Sequence, residues 1–274
     1  MPWGRPSGPK GAPTAEPGRP GRNTGAKPRR NISSILWKSG DGIADGAEIA
    51  RRLAERHDLA VVGFDRPGLD PEVLLELAAA VDDVLTRHPY IDLREVAVAP
   101  CGGETSQLEW GRADGATGPA TFVHRIVLDS RIARDPRPFV EYVRGAVRSG
   151  LLARGSQTRP IYSTVVREFG HALDVMGLFR ARAAVEPALI VEYSRRDRSR
   201  IAEWRNEMSG CSFHNNRLHP GMAMADAFTE VFLEGAAARP PARVLHDLLV
   251  ATAQAPVPPT PDGPDTVRTL SAVC

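Results

Sequence analysis

The order of its hydrophobic periods constrains this chain more than any other feature. Segments with strand patterning come early, and segments with helical patterning take over after about residue 130. The clearest element is "DPEVLLELAAAVDDVLTRHP" (70–89). Asp70 suits an N-cap, Pro71 suits the first turn, apolar residues recur at a 3.6-residue period, and Pro89 stops the helix. "DGAEIARRLAERHD" (45–58) is a shorter amphipathic helix before it. "LAVVGFD" (59–65), closed by Pro67-Gly68, suits a buried strand or a helix-to-loop segment. "REVAVAP" (94–100) alternates and ends on proline, and "TFVHRIVLDS" (121–130) is a second strand. Helices are predicted over 135–152, 160–177, 221–237 and 241–254, with a mostly helical stretch over 187–206. No internal repeat interrupts this order. It predicts an α+β fold, with a small mixed sheet packed on the 160–177 helix and a mostly helical C-terminal half.

The two ends have a different composition. Residues 1–31 are Pro, Gly and Arg with almost no aliphatic side chains, which predicts a disordered basic arm. Residues 1–30 carry seven basic groups against Glu16 alone, a balance of +6 in a chain whose net charge is +2, so the body is mildly acidic. Such an arm reads first as a solvated linker, and otherwise as a segment that touches nucleic acid or another acidic partner. The Pro-rich tail, residues 255–274, is predicted to be unstructured. Residues 32–254 form the predicted domain, and 42% hydrophobic content is enough for a sizeable core. Cys101, Cys211 and Cys274 are far apart and make no CxxC pair, so they form neither a disulfide framework nor a Cys-rich zinc site; one bridge stays open. No run approaches the ~18 apolar residues of a membrane helix, and the N-terminus has no apolar h-region. The expectation is a protein without a membrane partner, cytoplasmic or exported by a route that needs no ordinary signal peptide.

The chemistry concentrates in "TVVREFGHALDVMG" (164–177). On a helix, positions 167 and 171 project from one face, one turn apart. In the His-Glu-x-x-His arrangement both would be imidazoles on one Zn²⁺, with the glutamate polarising a bound water. Here Glu168 holds the base position and His171 the second ligand position, but Arg167 stands at the first. A guanidinium has no lone pair to donate and would repel a dication, so it is no ligand.

"EFGHALD" (168–174) resembles the active-site helix of the zincin metallopeptidases, in particular the lethal-factor-type zinc peptidase domains of bacteria and phages, with the first metal-ligand histidine replaced by Arg167. "DAFTEVF" (226–232) is similar to the downstream helix of that family, whose first acid is the third zinc ligand. The resemblance spans roughly residues 70–250 and is firm only in these two helices. It implies a general-base role for Glu168, metal-ligand positions at His171 and Asp226 with Glu230 one turn on, and a place near the oxyanion for His219, where the family has tyrosine. It also implies a zinc cofactor if the domain is active, and a peptide or protein in the cleft.

With Arg167 in place, the expected outcome is a catalytically impaired or inactive domain that binds through its cleft, Arg167 reaching Asp226 or Glu230 as a protein-borne cation. One alternative is a working zinc endopeptidase whose ligand set is rearranged to include His214, His219 or Cys211. Another is a nucleic-acid-associated module acting through residues 1–30. Other chemistries lack residues. There is a single Glu-x-x-His where a di-iron bundle needs two. "CGGETSQ" (101–107) is a turn without the Gly-Lys-Ser/Thr of a phosphate loop, and no Gly-x-Ser-x-Gly elbow is present.

Overall fold

A computed structural model of the chain describes residues 38–39, 42–43, 45–115, 118–196, 200–256 and 268–271. The arm predicted over 1–31 lies outside them. The described residues belong to one unit, Ile32–Cys274.

In chain order the elements are β1 (Lys38–Ser39), β2 (Gly42–Ile43), α1 (Gly46–His57), β3 (Ala60–Val62), α2 (Pro71–Arg87), β4 (Leu93–Ala99), β5 (Ser106–Gly115) and β6 (Gly118–Asp129). Helices then dominate: α3 (Ser130–Arg134), α4 (Arg137–Arg148), α5 (Pro160–Met176), α6 (Arg182–Ser194) and α7 (Ile201–Arg205). A short hairpin, β7 (Phe213–His214) and β8 (Arg217–Leu218), leads into α8 (Pro220–Glu234), α9 (Pro240–Gln254) and β9 (Arg268–Ser271). The fold is α+β, with a small mixed sheet and a mostly helical C-terminal half.

The main sheet runs β3-β4-β6-β5-β9. β3, β4 and β6 are parallel, whereas β5 pairs antiparallel with both β6 and β9. α2 carries the chain from β3 to β4, and the sequence caps it as expected: the Glu72 amide donates to Asp70 Oδ1 at 2.9 Å and Pro71 opens the helix. In 59–65 only Ala60–Val62 forms a strand, and it is an edge strand with Ala60 and Val62 exposed rather than the buried one expected.

Two elements depart from the sequence expectation. β5 lies where no strand was expected, and it forms the antiparallel hairpin with β6. The tail expected to be unstructured over 255–274 contains β9, which pairs with β5 from Gln107↔Ser271 to Trp110↔Arg268; residues 257–267 lie outside the described set.

α5 packs on β5 and β6 on one side and against α2, α8 and α9 on the others. Proline opens it and Gly177 caps it. From Val165 to Val175 every residue is buried, so this helix is the centre of the core and its polar side chains are committed to the interior. It crosses α8 at close range, because a Cβ on Gly170 would sit 2.7 Å from Ala225 Cα. Gly170→Ala is therefore expected to part the two helices and destabilise the fold by about 1–3 kcal/mol, read as a shift of the urea midpoint. An unchanged midpoint would mean that the crossing is not close.

Candidate functional site

Three buried polar side chains project from one stretch of α5, and each meets a different environment. Arg167 is 8% exposed. Its Nε donates to Asp226 Oδ1 at 2.6 Å, across from α8, which is the ion pair expected between these helices. The second oxygen of Asp226 accepts from the Ser209 hydroxyl. Burial alone would make a guanidinium easier to deprotonate, but the attraction of Asp226 outweighs it and holds the Arg167 charge more firmly than usual.

Glu168 points the other way, toward the sheet. It is fully buried, and its Oε1 accepts from Ser106 Oγ, at the start of β5, at 2.5 Å. Its Oε2 has no hydrogen-bond partner. Burial pushes the carboxyl up to about 7, against the opposing pull of the Ser106 hydroxyl and the Arg167 charge.

His171 shares the face of Arg167 and is buried, with Nε2 lacking a partner. Burial, then the charges of Arg167 and Arg182, lower its pKa to about 3, so the imidazole is neutral at ordinary pH. One turn further along, Asp174 accepts from Arg182 Nε at 2.7 Å, and burial raises its pKa against that attraction.

The other residues singled out in the sequence lie in different surroundings. Glu230 binds Arg239, accepting from its backbone amide and Nε at 2.8 Å each and from Nη2. His219 is exposed and caps α8, its Nδ1 accepting from the Met222 amide at 3.2 Å. His214 is exposed on the β7–β8 hairpin. Cys211 is disulfide-bonded, so it has no thiolate to offer a metal and leaves the set of replacement ligands.

A zinc ion here would need deprotonated donors converging from α5 and α8. Among the described residues, no group of three or more His, Cys, Asp or Glu side chains is placed to hold a metal ion. Asp226 has both oxygens engaged, one of them by a guanidinium that would lie beside the ion. The donors as placed do not fit zinc.

Beside Glu168 opens a cleft of about 140 Å³. The 103–106 segment, α4 and α5 form its walls, with Phe139, Val143 and Leu152 apolar, Arg167 and Glu168 polar, and Tyr142 at 50% exposure. Neither Ser106 nor the α4 face was legible as part of a site. Their contribution depends on partners far away along the chain, and no local motif marks it.

No family model, no curated protein and no solved structure matches the chain.

Proposed function

We propose that this chain is a zincin-like domain that has lost its metal site and acts by holding a peptide or protein segment in the cleft beside α5, without cleaving it. One observation carries the reading: the guanidinium of Arg167 and the carboxylate of Asp226 close on each other across α5 and α8, where the family resemblance puts the first and third zinc ligands. A cation from the protein itself balances the charge that would otherwise favour a dication. Without a metal there is no activated water, and Glu168 alone has no nucleophile to prepare. What remains is a carboxyl in a cleft of mixed polar and apolar lining, which favours recognition over hydrolysis.

Elemental analysis of zinc in the purified protein, beside Arg167→His, tests this. The natural chain is expected to hold well under one zinc per molecule. Arg167→His supplies the missing imidazole and frees Asp226, and is expected to raise the content toward one. A full equivalent of zinc in the natural protein overturns the metal-free reading. Absence from both chains would separate the 167–171 helix from zinc chemistry altogether, and with it the zincin relationship.

A further inference from the structure

The cleft is built around an unsatisfied acceptor. Glu168 Oε2 is buried without a partner, although its twin oxygen takes the Ser106 hydroxyl at 2.5 Å. Leaving such a group unpaired costs about 1–3 kcal/mol, and more when it is charged. Glu168 itself lines the cleft, and a ligand would reach this closed-off oxygen through a turn about the last side-chain torsion, which is broad for glutamate.

The charges around that space favour a cation. Arg167, which also acts on Glu168, is paired with Asp226, and Glu104 adds a second carboxylate to the lining. The other titratable groups nearby are the Tyr142 phenol and Cys101, whose thiol burial keeps in its neutral form, pushed up to about 12. The remaining walls combine the apolar side chains of Phe139, Val143 and Leu152 with the hydroxyls of Thr105, Ser106 and Thr164. Phe139 and Val143 are buried, and the half-exposed Tyr142 ring is inclined 30° to Phe139 with centroids 6.4 Å apart, offering aromatic surface. A volume of about 140 Å³ is close to the ~150 Å³ that suffices for a benzene ring.

The geometry points to a binding site for an apolar primary amine, whose hydrocarbon body lies against Phe139, Val143 and Leu152 while its ammonium group donates to Glu168. This inference rests on the metal-free reading of the cleft and names the chemistry the cleft would select. Two sources present that chemistry, a free small amine and the amino terminus of a peptide that begins with an aromatic or aliphatic residue.

The test uses the full chain at pH 8, with its zinc content measured on the same sample. Benzylamine is titrated by NMR or calorimetry, beside benzyl alcohol as an uncharged probe of the same shape. Benzylamine is expected to bind with a Kd of roughly 0.1–10 mM, as suits so small a ligand, and benzyl alcohol at least about tenfold more weakly. Glu168→Gln should abolish that difference. Equal affinities in the natural chain, or no binding of either probe, overturn the inference even if Glu168→Gln fails to fold. If the sample is free of zinc, that failure leaves the metal-free reading standing; a full equivalent of zinc would remove the premise instead. Phe-Ala-Ala amide and its N-acetyl form identify the source. Tighter binding of the free peptide than of benzylamine, lost on acetylation, assigns the site to a peptide amino terminus. The reverse order assigns it to a small amine.

Discussion

Replacing Arg167 by alanine is expected to destabilise the protein by about 3–5 kcal/mol, because it strands Asp226 as a buried charge facing a void. The side chains of the pair are 10% and 6% exposed, so water does little to solvate the carboxylate that is left. Ser209 donates to the far oxygen of Asp226 and limits the loss without neutralising the charge. For a domain of this size the thermal midpoint should fall by on the order of 10 °C. Added salt should alter this little, since a buried pair is screened far less than an exposed one.

Removing both partners should cost much less than removing one. Arg167→Met with Asp226→Leu replaces the pair by hydrocarbon of similar volume, and such exchanges are often close to neutral. Urea unfolding of both single variants and the double variant at pH 7 gives the coupling directly. A zinc-holding protein gives the opposite pattern: Arg167→Ala would relieve a repulsion beside the ion and leave stability unchanged or higher. A loss below about 1 kcal/mol would place the pair among solvated surface bridges and remove the support it gives to the metal-free reading.

That ion pair was legible because its two halves lie in short helical motifs whose faces follow from i,i+4 spacing. The rest of the site was not. Ser106 stands 62 residues from Glu168, Ser209 stands 17 from Asp226, and Arg239 stands nine from Glu230. Each contact exists only because the sheet and the helices bring distant segments together. The fold divides along the same line. α2 and α5 carry their own start and stop signals, Asp70-Pro71 and Pro89 for one, Pro160 and Gly177 for the other. β5 does not. Its alternation of Leu108 and Trp110 inward is brief, and Gly111 follows, which read locally looks like a break. In the sheet Gly111 pairs with Phe122, whose ring lies over it at 2.6 Å from where a Cβ would be, so the absent side chain makes room for the cross-strand aromatic. β9 has even less local signal, since it is four residues held through pairing with β5.

Glu168 and His171 are expected to give stability opposite dependences on pH, and Glu168→Gln should expose this. The carboxyl is raised from 4.5 to about 7 by burial. Below about pH 4.5 it is protonated in both the folded and unfolded chain, and its contribution to stability is fully present. As pH rises from 4.5 through 7, the unfolded chain ionises while the folded chain keeps its proton, and about 3 kcal/mol is lost. His171 is lowered from 6.5 to about 3, chiefly by burial. Its contribution is fully present above about pH 6.5 and is lost as pH falls toward 3, on the order of 5 kcal/mol. Between pH 4.5 and 6.5 the two slopes oppose each other, so the natural protein should show a shallow profile there. Glu168→Gln keeps an acceptor for the Ser106 hydroxyl and cannot ionise. The variant should match the natural chain near pH 4.5 and exceed it by about 3 kcal/mol at pH 8, in urea midpoints taken across that range. Parallel profiles from pH 4.5 to 8 would mean that the carboxylate is already solvated or paired in the folded protein. The same result would remove the unsatisfied oxygen from the cleft, because a satisfied Glu168 has nothing left to offer an ammonium group.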